Sequence, residues 1–276
     1  MKHLIYLDKS NLTKSVLALF VFVLYYCLTM LAFIPLADGD AITVTGYVLD
    51  LVHCPETWFK LCKFLLGCII LVPAIWIISG KQNVLKAWGL SEGIVKALIF
   101  SLVCVSPMLL CGVIFGRFEY SFDTFIAKAF TAGVVEEAVY RGFMFGMLFR
   151  FCNWGFWTAA LPTAVIFSVG HFYQADDLLG CLQVFGVTAF GSIFFSWLYT
   201  AWKYNLYVPM FLHIFMNTVW GMLPIDGVDN SVGNIAANTG RVLTLLLAVV
   251  ITCWYRKRNG EERWFVVAND SNVGEC

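Results

Sequence analysis

Charge is what this sequence has least of. Only 13% of its 276 residues are charged, against 60% hydrophobic, whereas soluble chains carry about 25% charged residues; a soluble domain is excluded. Its 18 basic and 18 acidic residues balance to zero, so no basic face exists to displace counterions from phosphates and no nucleic-acid partner is expected. Histidine is rare, four in all, and no CxxC pair, zinc-ribbon spacing or HExxH motif occurs. No serine or cysteine stands beside a histidine in a nucleophile motif, which leaves water as the favoured nucleophile for any hydrolysis. No fixed-period repeat is present. Of ten cysteines, Cys27, Cys68, Cys104, Cys111, Cys181 and Cys253 fall inside apolar runs and read as small packing residues, not as a disulfide framework.

What is abundant is apolar sequence. Mean hydropathy is +0.79, and several runs reach the roughly 20 residues that cross a bilayer. Spans are expected near 15–36, 61–79, 94–116, 124–149, 156–174, 179–202, 206–223 and 237–255. The expected fold is therefore all-α, a polytopic transmembrane helical bundle of about eight spans, with the first run read as a spanning helix and not a cleaved signal. Three units follow: residues 1–123 with three spans and connectors, 124–223 with four spans, and 224–276 with the last span and a tail.

Lys2, Lys9, Lys14, Lys81, Lys86, Lys96, Arg150, Lys203, Arg256, Lys257, Arg258 and Arg263 sort to one side of these spans. Asp38, Asp40, Asp50, Glu56, Glu119, Asp123, Asp176, Asp177, Asp226 and Asp229 sort to the other, with Lys60, Lys63 and Arg117 as exceptions. The positive-inside rule then predicts an integral protein of the cell membrane with both termini cytoplasmic. Residues 80–93 are expected to be an interfacial connector with aromatic anchoring, or a short loop. Trp154, Trp157, Trp197, Trp202 and Tyr204 are expected to form interfacial belts, and Arg256–Arg258 a stop-transfer cluster. Gly142 and Gly146 form a GxxxG that would admit another helix backbone.

The fourth span contains Glu136, Glu137 and Arg141 in otherwise apolar surroundings. A charge at the bilayer centre costs roughly 2.5–3.5 kcal/mol on insertion scales, so three within six residues demand pairing, hydration or protonation. With 3.6 residues per turn, Arg141 falls about 40° round from Glu137 and about 140° round from Glu136. Arg141 should pair with Glu137, leaving Glu136 turned elsewhere in surroundings that disfavour its charged form, the setting of a general base. His171 and His213 also lie in apolar spans, and Asn217 shares a helix face with His213 at i+4. Together these residues supply a base, an imidazole and two oxyanion donors, enough to add water to a peptide carbonyl.

Glu136-Glu137-Ala-Val-Tyr140-Arg141-Gly142 resembles the EExxxR motif of the CAAX protease and bacteriocin-processing (CPBP, or Abi) family. Phe167-Ser-Val-Gly-His171 matches its FxxxH motif, and His213-Ile-Phe-Met-Asn217 its HxxxN motif. The resemblance covers about 125–223 and implies that residues 124–223 are a catalytic core. It implies an intramembrane endopeptidase of the kind that trims the last residues of prenylated proteins, with relatives in peptide maturation and bacteriocin immunity. Glu136 with His171 would activate water, His213 and Asn217 would bind the oxyanion, and Glu137 with Arg141 would support the helix. The substrate would be a peptide or protein, prenylated or membrane-anchored. Metal-free catalysis is the first expectation, because the carboxamide of Asn217 is a poor zinc ligand and a good donor. The alternative is Zn2+ held by Glu136, His171 and His213. Two rival functions are a proton-coupled transporter, in which Glu136 and the histidines form a relay, and a catalytically silent immunity or scaffold protein.

Overall fold

In a computed structural model of the protein, residues 7, 11–35, 40–225 and 230–261 are described. Of the charges assigned to sides above, Lys2, Lys9, Asp38, Asp226, Asp229 and Arg263 lie outside the described residues. The chain is 76% helical. Among the described residues the strands are Ile34–Pro35 (β1) and Ala41–Ile42 (β2), which form one short antiparallel pair. They take up the end of the first apolar run, so α1 (Leu12–Met30) stops short of the expected residue 36.

The remaining helices follow the hydropathy. After α2 (Val44–Leu51) come α3 (Glu56–Cys68) and α4 (Leu71–Ile78), two halves of the second span, then the short α5 (Val84–Trp88). The third span is α6 (Ile94–Cys104) and α7 (Ser106–Phe115); Pro107, near the start of α7, has no N–H for an unbroken ladder. The short α8 (Phe122–Thr124) opens the fourth span, and α9 (Phe156–Val169), α10 (Leu178–Ala201), α11 (Tyr207–Met222) and α12 (Ile235–Arg258) complete the bundle. Five helical stretches, Leu12–Met30, Glu56–Ile78, Ile94–Phe115, Leu178–Ala201 and Ile235–Arg258, are long and apolar enough to cross a membrane. The protein is an integral membrane protein.

The shorter helices place the site. The 14 residues of α9 and 16 of α11 rise only about 21 and 24 Å at 1.5 Å per residue, less than a hydrocarbon core of about 30 Å. Irregular backbone at such depth is tolerated only where protein or a hydrated cavity surrounds it, and both helices bury a face in the bundle, with Ala159, Ala160, Val208 and Leu212 fully buried.

Several expected surface features point inward instead. Trp154 is buried with its indole N–H donating to Ser15 Oγ at 3.0 Å, and Trp202 donates to Thr252 Oγ1 at 3.0 Å while stacking on Tyr255. Trp197 is buried too. These tryptophans pin helices together; an indole buried with a satisfied N–H contributes more area than one at an interface. Arg256 likewise turns inward to the Ala201 carbonyl and Glu261.

Candidate active site

The fourth span departs from α-helical geometry. Over Phe125–Phe130, Ala132–Phe145 and Met147–Phe151 the backbone winds as a π-helix, with the N–H of Thr131 reaching Ile126 O and that of Gly146 reaching Arg141 O, each five residues back. Such wide turns are rare and occur most often at functional sites. Each residue of a wider turn advances a smaller angle, which narrows the separation of Glu136 and Glu137. Arg141 pairs with Glu137 and not with Glu136, as the spacing leads one to expect, and both carboxylates lie near the same imidazole on α11.

That imidazole is His213. Its Nδ1 lies 2.7 Å from Glu137 Oε1, and its Nε2 lies 4.0 Å from Glu136 Oε2. Glu137 also accepts from Arg141 Nη1 at 3.0 Å, and both side chains are 0% exposed. A carboxylate oxygen only accepts, so His213 Nδ1 is the donor in the 2.7 Å bond. The Arg141 guanidinium sits between two rings, 4.6 Å from the Phe167 centroid and 5.5 Å from that of Phe195. Phe195 in turn stacks on His213 at 5.4 Å. Glu136, by contrast, is 28% exposed and His213 13%, so the outer carboxylate is open to the surface and the inner one is not.

His171 stands just beyond α9, with its Nδ1 2.7 Å from the Phe167 carbonyl. A carbonyl only accepts, so Nδ1 carries the proton and Nε2 of the neutral ring is left as an acceptor. His171 packs on Phe167, with centroids 4.5 Å apart, which ties it to the rings around Arg141. It makes no hydrogen bond to Glu136. Asn217 Nδ2 donates one N–H to the Lys128 carbonyl on the fourth span at 3.1 Å, leaving its second amide hydrogen uncommitted. The structure thus brings Glu137, Arg141 and His213 into direct contact with Glu136 4.0 Å from His213, anchors Asn217 on the same helix pair, and joins His171 through an aromatic bridge.

Close approach of the two helices depends on Gly133. A Cβ there would fall on the Ile214 side chain and within 2.9 Å of its backbone nitrogen. Gly142 serves differently from the expected helix–helix GxxxG. A Cβ there would meet the Trp88 indole at 2.5–2.7 Å, and at Gly146 the Tyr199 hydroxyl at 3.4 Å. Both glycines make room for side chains, not for another backbone. Sequence spacing gave no sign of Phe195, Trp88 or the Lys128 carbonyl, because none lies within a motif. It also passed over Arg241, inside α12, whose guanidinium lies 4.2 Å from the Trp220 ring.

Among the described residues no three His, Cys, Asp or Glu side chains are grouped to hold a metal ion. The Glu136, His171 and His213 set does not converge in the manner of a zinc site. A shallow cleft lined by Met108, Cys111, Val219, Trp220 and Leu223 opens one turn beyond Asn217 on α11, and the four polar side chains do not line it.

Residues 118–219 match the family model described as type II CAAX prenyl endopeptidase Rce1-like. Over 105 residues, 38% of this chain, the sequence is 32% identical to a protein of Bacillus subtilis (strain 168) named "Putative membrane peptidase YdiL". The matched stretch spans 38% of that relative's length. No solved structure matches the chain significantly. The matched segment contains all three polar motifs and is similar to a type II CAAX prenyl endopeptidase domain.

Proposed function

We propose that the protein is an intramembrane endopeptidase that hydrolyses a peptide bond with water activated by Glu136. The observation that carries this reading is the opposite environment of two adjacent carboxylates. Glu137 is fully buried, with its Oε1 held by both Arg141 and His213, while Glu136 is partly exposed and hydrogen-bonded to neither. The first is built to hold geometry, the second to exchange a proton.

In this mechanism Glu136 takes a proton from water, and the acceptor nitrogen Nε2 of His171 orients the same water. As the hydroxide adds to the carbonyl, charge develops on its oxygen. The donors are the free N–H of Asn217 and Nε2–H of His213. With Nδ1–H of His213 committed to Glu137, donation from Nε2 uses the doubly protonated ring. Removing a single oxyanion donor typically costs 10²–10³ in rate. Glu136 then returns its proton to the leaving amine.

No step is routed through a metal, in keeping with the scattered donor set. The substrate is a peptide or protein at the membrane, near its C-terminus or a membrane-proximal segment, with prenylated chains included. The orientation that suits the charge pattern has both termini cytoplasmic and the protein in the cell membrane. Comparative proteomics of cells with the native protein and cells with Glu136→Gln tests the function. A terminal fragment released only with the native protein is expected; identical peptide sets would refute it.

A further inference from the structure

The segment from α5 to the start of α6 lies outside the residues that match the family and reads from sequence as an interfacial connector. In the structure it is bolted into the site. Trp88 is buried, and its indole N–H donates to the Ala138 carbonyl at 2.8 Å, in the residue directly after Glu137. The ring occupies the space left by Gly142, the residue directly after Arg141. Arg150, at the far end of the same π-helix, donates to the Ala87 carbonyl at 2.6 Å.

The other side of the segment holds the second catalytic helix. The Leu206 N–H donates to the Gly89 carbonyl at 2.9 Å, the Tyr207 hydroxyl to the Leu90 carbonyl at 2.9 Å, and the Asn205 amide to the Gly93 carbonyl at 3.3 Å. Residues 205–207 lead into α11, whose next turns carry His213 and Asn217. Gly89 itself adopts φ +91° and would place a Cβ against the Tyr204 carbonyl, so only glycine permits the approach.

From this double attachment we infer that residues 87–93 form a clamp between the two helices of the site, and that Trp88 is a positioning residue for Glu136 and Glu137. The inference rests on the peptidase reading of the site. Two contacts give the mechanism. The indole N–H draws the Ala138 carbonyl outward from the helix axis, and the ring wedges at Gly142, one wide turn later. Both favour the widened turn over the tighter α-helical one. Without that widening Glu136 and Glu137 separate in angle, and one of them leaves His213. Trp88 touches no substrate; it acts through the register of the helix.

Trp88→Phe keeps most of the ring and removes the N–H. Peptide hydrolysis by the full-length protein in proteoliposomes is measured for native protein, Trp88→Phe, Gly142→Ala and Glu136→Gln, beside thermal unfolding of each. The clamp predicts that Trp88→Phe and Gly142→Ala lower kcat at least tenfold with KM within twofold and the unfolding midpoint within a few degrees of native. Combining the two substitutions should lower kcat no further than the stronger alone, because both release the same contact. Native kcat in Trp88→Phe, or a loss of kcat that merely follows loss of folded protein, overturns the clamp and leaves the peptidase reading standing. Undiminished hydrolysis by Glu136→Gln overturns the peptidase reading, and the clamp's catalytic meaning with it.

Discussion

Arg141→Met takes the guanidinium out of the site while retaining much of its apolar stem. Glu137 Oε1 now faces only His213, in a position with no exposure to solvent. Breaking a buried ion pair by removing one partner costs about 3–5 kcal/mol, because the remaining charge is stranded. The guanidinium also gives up its places over Phe167 and Phe195, contacts of about 2 kcal/mol when desolvated that are part of that cost and not additional to it. His213 can compensate in part through its proton at Nδ1, which favours the lower end, about 3 kcal/mol. In Glu137→Met/Arg141→Met no charge is stranded; what remains unpaired is His213 Nδ1–H, at about 1–3 kcal/mol. The double variant should therefore be no less stable than the single one, a coupling of several kcal/mol in a double-mutant cycle. Reversible unfolding in mixed micelles, followed by tryptophan fluorescence, reads all four corners of the cycle. A loss below about 1 kcal/mol for Arg141→Met, or strict additivity of the two substitutions, would show that the pair is not the buried link described.

Asn217→Ala should lower kcat by about 10²–10³ while costing about 1 kcal/mol of stability from the lost bond to the Lys128 carbonyl; kinetics and unfolding of one preparation separate the two. Gly133→Val should push α11 off the fourth span at Ile214 and the Met210 carbonyl, costing about 1–3 kcal/mol and abolishing hydrolysis; a native unfolding curve would contradict the close approach. Burial raises the Cys152 thiol above its ordinary value, with Ser15 and Lys14 opposing in part. Because the folded form is the one with the raised value, its neutral thiol favours folding below the ordinary range near 8.5 and the contribution is lost as pH rises through the folded value. Native protein should therefore leave Cys152 unlabelled by iodoacetamide at neutral pH, and rapid labelling there by mass spectrometry would contradict it. Dialysis against a zinc chelator should leave hydrolysis unchanged, and activity restored only by added Zn2+ would reverse the metal-free proposal.

Five of the spans were legible because each is an apolar run of membrane-crossing length, and the Glu137–Arg141 pair because two charges four residues apart in such a run have little other recourse. The turn geometry was not legible. Nothing in the residues 125–151 distinguishes a π-helix from an α-helix, since the hydrogen-bond step depends on what neighbours press on the backbone, here Trp88 from more than forty residues upstream. For that reason Glu136 and Glu137 were expected to face apart, yet both address His213. The tryptophans at span ends misled for a related reason: hydropathy places a residue along the membrane normal, not around the helix, so an indole facing Ser15 or Thr252 looks the same in sequence as one facing lipid. The short α9 resolves where His171 lies. Its helix ends at Val169, so the histidine occupies the half-buried turn just beyond it, packed on Phe167.

The central claim is that Glu136 activates the water. Its most direct measurement is hydrolysis by purified protein in proteoliposomes of a peptide released in cells, native against Glu136→Gln, at matched folded content. A loss of about 10²–10⁴ in kcat, the range for a positioned general base, is the predicted result. Cleavage at the native rate by Glu136→Gln would contradict it.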